Sequence, residues 1–305
     1  MKTNWRSTLF IVVLTAVGCA AAHSYATTAP EHASAGNNSE AKAQYDQALR
    51  YKKGDGVPRD PVKAAEYLIK AANLGYAWAQ TDLGSCYAKG EGVTQDLEEA
   101  FKWYREAARQ GDPLGQYCLG YCYMTGCGMV TNLDEGIQWW RKAADTGLPE
   151  AQNALGQFYM DRGTGETNVD HYAESAKWLK KAAEQGYVPA MNNLGFLYQY
   201  GWGVDKDHGE ALKWYRAAAE KGEPKAQANL GIMYQEGFGV SQDLVTAYKW
   251  FLLSASQRDA VGKHFVEDYK LHRLITTNQM AEAQRMATEF RFQLNSRRFQ
   301  KPASP

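Results

Sequence analysis

A Gly-x-Gly turn returns along this chain at a fixed interval, and that regularity constrains the fold more than any other feature. Gly54-Asp-Gly56-Val57 recurs as Gly90-Glu-Gly92-Val93, Gly126-Cys-Gly128-Met129, Gly201-Trp-Gly203-Val204 and Gly237-Phe-Gly239-Val240. Trp103, Trp139, Trp178, Trp214 and Trp250 mark a second slot, 36 residues apart except for one step of 39. The three extra residues fall within 161–170, which predicts a lengthened loop there. A unit this short cannot bury its own apolar faces, so the copies must stack on one another.

Local chemistry divides each unit into two helices. The first carries Leu-Gly-x-x-Tyr, as at Leu83, Gly84 and Tyr87 or Leu230, Gly231 and Tyr234, with Leu and Tyr four apart on one face. It stops at the Gly-x-Gly turn, because glycine reaches the left-handed conformation that ends helices. The second starts at Asp60, Asp96, Asn132, Asp207 or Asp243, whose side chains can accept from the free amides of a first turn. It ends at Gly75, Gly111, Gly147, Gly186 and Gly222. Small residues at fixed places, Gly84, Gly120, Gly156, Gly195 and Gly231 with Ala107, Ala143, Ala182 and Ala218, let backbones approach, and the neighbouring Trp and Leu are expected to fill the space between units.

The signature Leu-Gly-x-x-Tyr, Gly-x-Gly-Val, Asp, Ala-x-x-Trp-Tyr-x-x-Ala-Ala-x-x-Gly resembles that of the Sel-one-like repeat (SLR) family, relatives of tetratricopeptide repeats, over about residues 41–257. The resemblance implies an all-α, right-handed α/α superhelical solenoid of about six repeats in 41–258, followed by a C-terminal capping helical segment in 259–298 and a tail in 299–305. Gln47 replaces the Leu of the first unit, and Arg162-Gly-Thr-Gly-Glu replaces the fourth Gly-x-Gly-Val. The segment from Gln279 to Ala287 resembles the helix that often follows the last repeat in bacterial members.

Residues 1–22 read as an export signal: Lys2 and Arg6 precede an apolar run from Ser7 to Val17 that is too short to span a bilayer. Two cleavage routes stand open. Small residues alternate before Ala22 and Ala26, which suits signal peptidase, whereas Ala16-Val17-Gly18-Cys19 resembles a bacterial lipobox, making Cys19 the lipidation candidate. Either route places the protein in the periplasm or on the outer membrane as a lipoprotein. Residues 23–40 are rich in Ala, Ser, Thr and Asn and read as a disordered linker.

Thirty-four basic residues balance 34 acidic ones, so no net field draws the chain to nucleic acid. The Gly-x-Gly turns lack the third glycine and the preceding strand of a nucleotide loop. The six histidines are scattered without metal-ligand spacing, and no nucleophile sits beside a base. Catalytic residues, metal and cofactor are accordingly all given as none, and the chain is read as not an enzyme. Cys86 and Cys122 occupy the same slot in adjacent repeats and are the disulfide candidates. Cys118 lies one helical turn before Cys122, too close along one helix to pair comfortably with it, and Cys127 falls inside a Gly-x-Gly turn. Plain buried thiols and, at lower weight, a zinc site are the alternatives.

In tetratricopeptide-like stacks the first helices line the concave side. By that resemblance a groove stripe would comprise Thr81, Ser85 and Ala88; Tyr117, Tyr121 and Met124; Asn153, Gln157 and Met160; Asn192, Phe196 and Gln199; then Ala228, Ile232 and Gln235. Packing against the next unit is the competing explanation for the apolar members. The expected function is a non-catalytic protein interaction scaffold or adaptor in a bacterial cell envelope, binding a protein or peptide through the aromatic and amide members of the stripe. A binder of polysaccharide or peptidoglycan is the alternative.

Overall fold

A computed structural model describes residues 35–163 and 169–299. The export segment, Cys19 and nearly all of the tail lie outside the described residues. Within them the regular elements are fourteen α-helices. Contacts divide the chain into two units, 1–151 and 152–305.

The first unit holds α1 (Ala35–Lys53), α2 (Pro61–Asn73), α3 (Ala77–Lys89), α4 (Leu97–Arg109), α5 (Pro113–Thr125), α6 (Leu133–Asp145) and the first residues of α7 (Pro149–Arg162). The second holds the rest of α7, then α8 (Val169–Glu184), α9 (Val188–Tyr200), α10 (His208–Glu220), α11 (Pro224–Glu236), α12 (Leu244–Ser256), α13 (Ala260–His272) and α14 (Thr277–Phe299). Residues 35–40, read from composition as linker, are helical. No proline follows Pro30 until the first turn, and the buried Ala41 and Tyr45 anchor the helix from which those residues extend.

All five expected second-helix starts cap their helices: Asp60, Asp96, Asn132, Asp207 and Asp243 sit in extended backbone and accept from amides two or three residues on. Each such cap is worth about 1 kcal/mol. Five of the first helices, α1, α3, α5, α9 and α11, end in a left-handed glycine, and at Gly126 the two closing bonds are Gly126 N–H to the Cys122 carbonyl at 2.8 Å and Cys127 N–H to the same oxygen at 3.2 Å.

The glycine of Leu-Gly makes a notch that one side chain of the following helix fills. A Cβ added at Gly84, Gly120, Gly156, Gly195 or Gly231 would come within 2.5 to 2.9 Å of Tyr104, Trp140, Leu179, Tyr215 or Phe251. Those fillers are almost wholly buried, and each directly follows the recurrent Trp or stands in its next position. The recurrent Trp does not enter this notch: one residue away the helix has turned by about 100°, so only one of the pair can fill it, and Trp178 and Trp250 are buried beside it. Trp103, Trp139 and Trp214 stay partly exposed. Lysines cover two of them, with Lys142 Nζ 3.8 Å from the Trp139 ring centre and Lys213 Nζ 5.4 Å from that of Trp214.

A glutamine bond ties the two ends of a repeat. Gln110, capping α4, donates to Gln80 Oε1 at 2.7 Å, while Gln80 Nε2 donates to the Ala72 carbonyl at the end of α2. In the second unit Gln257 donates to Gln227 at 3.0 Å, and Gln227 to Ala219; Gln185 donates to Gln152 at 2.8 Å. In α5 the same slot holds Gln116, but the residue thirty positions later is Thr146, and Gln116 Oε1 is buried without a hydrogen-bond partner.

The sixth repeat closes differently. Arg258 stands where the others have glycine and takes φ 68°. Asp259 then caps α13, accepting from Gly262 N–H and from Ser254 Oγ, each at 2.9 Å. The Phe265 ring stacks on Phe251 with centres 4.4 Å apart, and Tyr269 stacks on Tyr248 at 5.3 Å. Ala283 and Ala287 of α14 are buried, and Phe290 meets Trp250 edge-on at 5.2 Å. The last two helices thus cover the faces that α12 would otherwise present.

Candidate partner-binding surface

In the first unit the expected stripe is mostly interior. Thr81 Oγ1 donates to Asp112 Oδ2 at 2.6 Å, and Ser85 Oγ accepts from the Tyr104 hydroxyl at 3.2 Å. Ala88 is buried, as is Tyr121, at 8% exposure, and Tyr117 stacks on Trp140 with centres 6.3 Å apart. Tyr121 therefore fills core rather than offering surface to a partner. Burial follows because a helix between two neighbours has apolar contacts over more than the single stripe that periodicity selects.

In the second unit the amide members form chains. Asn229 Nδ2 donates to Asn192 Oδ1 at 2.9 Å, Asn193 Nδ2 to Asn153 Oδ1 at 3.3 Å, and Asn153 Nδ2 to Gln157 Oε1 at 3.3 Å. These bonds link α7 to α9 and α9 to α11. Asn153 and Asn192 are nine-tenths buried, whereas Gln157, Asn193 and Asn229 keep part of their surface in solvent. Gln199 Oε1 accepts from the Tyr215 hydroxyl at 2.8 Å, and Gln235 Nε2 donates to Glu236. Ala228 is buried and Ile232 packs against the cap cluster.

Phe196 belongs to a larger aromatic patch. Its ring centre lies 4.6 Å from Tyr200 and 5.2 Å from Trp202; Tyr200 and Trp202 are 5.5 Å apart, and Trp202 is 4.9 Å from Tyr172. Tyr200 is 51% exposed and the other three are partly exposed. Three of these rings went unnamed in the sequence stripe. The available signal was the Trp at the middle of a Gly-x-Gly turn, where the other repeats carry Asp, Glu, Cys and Phe. Burial first, then the charge of Asp161, raises the pKa of Tyr172.

Among the described residues no group of three or more His, Cys, Asp or Glu could hold a metal ion, and no helix is long and apolar enough to cross a membrane. Cys86 and Cys122 lie in separate core clusters, Cys86 with Leu83 and Tyr45, Cys122 with Cys118 and Leu119. Cys86, Cys118 and Cys122 are buried and Cys127 is partly exposed.

Capped helix pairs repeated along the chain, with glycine notches between them, define an all-α repeat protein. The chain belongs to the Sel1 repeat family: the Sel1 repeat model matches residues 41–76, 79–112, 113–148, 149–187, 188–223 and 224–259. Its structure is similar to that of a protective antigen present in uropathogenic Escherichia coli strains, which displays an SLR fold, at 33% identity and a TM-score of 0.68 over 82% of this chain and 53% of that one. The chain thus spans about half the length of that protein. A Sel1 repeat protein from Oxalobacter formigenes is 32% identical, with a TM-score of 0.66 over 71% of this chain and 88% of that one. No curated protein matches the chain. Sel1 repeat proteins generally mediate protein–protein interaction, and the fold is a generally non-catalytic scaffold.

Proposed function

We propose that this chain is a non-catalytic scaffold of the bacterial cell envelope that binds an extended segment of a protein partner on its second unit. The observation that carries the reading is the patch of Tyr172, Phe196, Tyr200 and Trp202, flanked along α9 by amide side chains with surface in solvent. Clustered, partly exposed rings give large contact area for little ordering cost, and side-chain amides can bond a peptide backbone in either direction. The envelope location rests on the export signal read in residues 1–22; cleavage before Cys19 would make that residue the lipid attachment point, and cleavage after Ala22 or Ala26 would release the chain unlipidated.

The test is selection from a displayed random-peptide library against the full chain, followed by titration of the selected peptides. Peptides that bind the parent and lose at least tenfold in affinity against Tyr200→Ser with Trp202→Ser support the reading. Sedimentation with purified peptidoglycan, abolished by the same substitutions, in place of peptide binding would reassign the patch to glycan.

A further inference from the structure

The turn that closes α5 brings two sulfurs together by backbone geometry. In a helix ended by a left-handed residue, the amide of the next residue bonds back to the carbonyl five positions earlier, and the side chains of those two residues meet. Cys127 N–H makes that bond to the Cys122 carbonyl at 3.2 Å. The same bond recurs from Trp202 to Leu197 and from Phe238 to Met233, where the paired side chains are apolar. Only at the third Gly-x-Gly turn are both partners cysteine. Cys122 is buried in one cluster with Cys118 and Leu119, and Cys127 packs against that cluster.

We propose that Cys122 and Cys127 form a reversible redox pair, closing a disulfide inside the turn that ends α5. Cys122 is buried and Cys127 is partly exposed, so the two have distinct parts to play. The hydrogen bond from Cys122 holds the Cys127 thiol down to about 7, against the opposing effect of burial, whereas burial pushes Cys86 up to about 11. Cys127 is therefore the attacking thiolate and Cys86 is inert at neutral pH.

The oxidant is a disulfide of the glutathione or oxidoreductase class. Cys127 releases its proton to solvent, its thiolate attacks one sulfur of that disulfide, and the other sulfur departs as a thiolate. Cys122 then loses its proton and attacks Cys127 Sγ, forming the Cys122–Cys127 bond and expelling the second thiolate. Two protein thiols give up two electrons and two protons, and one disulfide becomes two thiols.

The experiment equilibrates the purified full-length chain in graded glutathione redox buffers, quenches it with acid, and alkylates it in denaturant. Intact mass then counts the free thiols among its five cysteines. The expected result is a loss of two free thiols across the titration, retained in Cys86→Ser and in Cys118→Ser and absent in Cys127→Ser. Serine suits that turn, since the equivalent positions hold Asp55 and Glu91. A second readout is thermal: the oxidised parent melts above the reduced parent, and the Cys127→Ser protein melts alike in both buffers. Loss of two thiols that persists in Cys127→Ser, or no loss in the parent, overturns the proposal.

Discussion

Gly84 of α3 and Tyr104 of α4 share one volume: a Cβ on Gly84 would stand 2.7 Å from the Tyr104 ring, whose hydroxyl donates to Ser85 Oγ at 3.2 Å. Gly84→Ala improves helix propensity by about 1 kcal/mol, but it forces ring and helix apart, at about 1 to 3 kcal/mol in a packed core. Urea unfolding should give a net loss of about 1 kcal/mol, and an alanine as stable as the parent would show the notch to be slack.

The orphaned Gln116 Oε1 invites repair. Thr146→Gln recreates the pair that Gln80 makes with Gln110, and satisfying a buried acceptor should add about 1 kcal/mol. The cost is the Thr146 hydroxyl bond to the Ala143 carbonyl at 2.6 Å. A raised unfolding midpoint that disappears on adding Gln116→Ala confirms that the gain runs through this pair.

Arg258 holds φ 68° in a slot that glycine fills in five other repeats. A non-glycine residue there costs about 1 kcal/mol, so Arg258→Gly should raise stability by about 0.5 to 1 kcal/mol. Gly222→Ala, at φ 91°, should lower it by a similar amount. Thermal unfolding of the two variants side by side checks the pair of signs.

Asp82 is buried between two donors, the Tyr45 hydroxyl at 3.0 Å and Lys52 Nζ at 3.1 Å. Burial lowers the Lys52 pKa, but the Asp82 charge and hydrogen bond outweigh it and the net direction is up; burial first, then Asp82, raises that of Tyr45. Both groups keep their protons longer in the folded chain than in the unfolded one. Their contribution is therefore complete below about pH 10 and lost as pH rises beyond it. The parent should lose stability steeply above pH 10, and Asp82→Asn should flatten that slope. Asp82→Ala should cost about 2 kcal/mol at neutral pH, less than a fully buried pair because Lys52 keeps about a third of its surface exposed.

Tyr121 and Tyr200 should separate core from surface. Tyr121→Ala removes a buried ring and should destabilise by about 3 kcal/mol. Tyr200→Ala removes a ring already half in solvent, should change stability by less than about 1 kcal/mol, and should weaken peptide binding by about tenfold or more. Equal melting losses in both would remove the basis for a binding patch at Tyr200.

The helix boundaries were legible because they are local chemistry: Asp96 accepts from Glu99 N–H whatever surrounds it, and Gly126 turns left-handed on its own account. Depth was not legible. Periodicity placed Tyr121 and Phe196 on one stripe, but one is interior and the other lies at the surface beside Trp202, and only the neighbouring helices decide that. Tyr104 escaped notice because its slot varies through Trp, Leu, Tyr and Phe while the uniform Trp beside it does not. The match of Tyr172 to Trp202 joins residues thirty positions apart, a relation created by packing.

The glutamine bond from Gln110 to Gln80 is repeated, atom for atom, from Gln257 to Gln227. A fastener of identical pattern at separate joints makes the copies interchangeable at their seams. Unequal crossing-over between such copies in the gene would add or remove a whole repeat while leaving matched ends on either side. The length of an array of this kind is therefore a heritable variable that selection can adjust without redesigning any core.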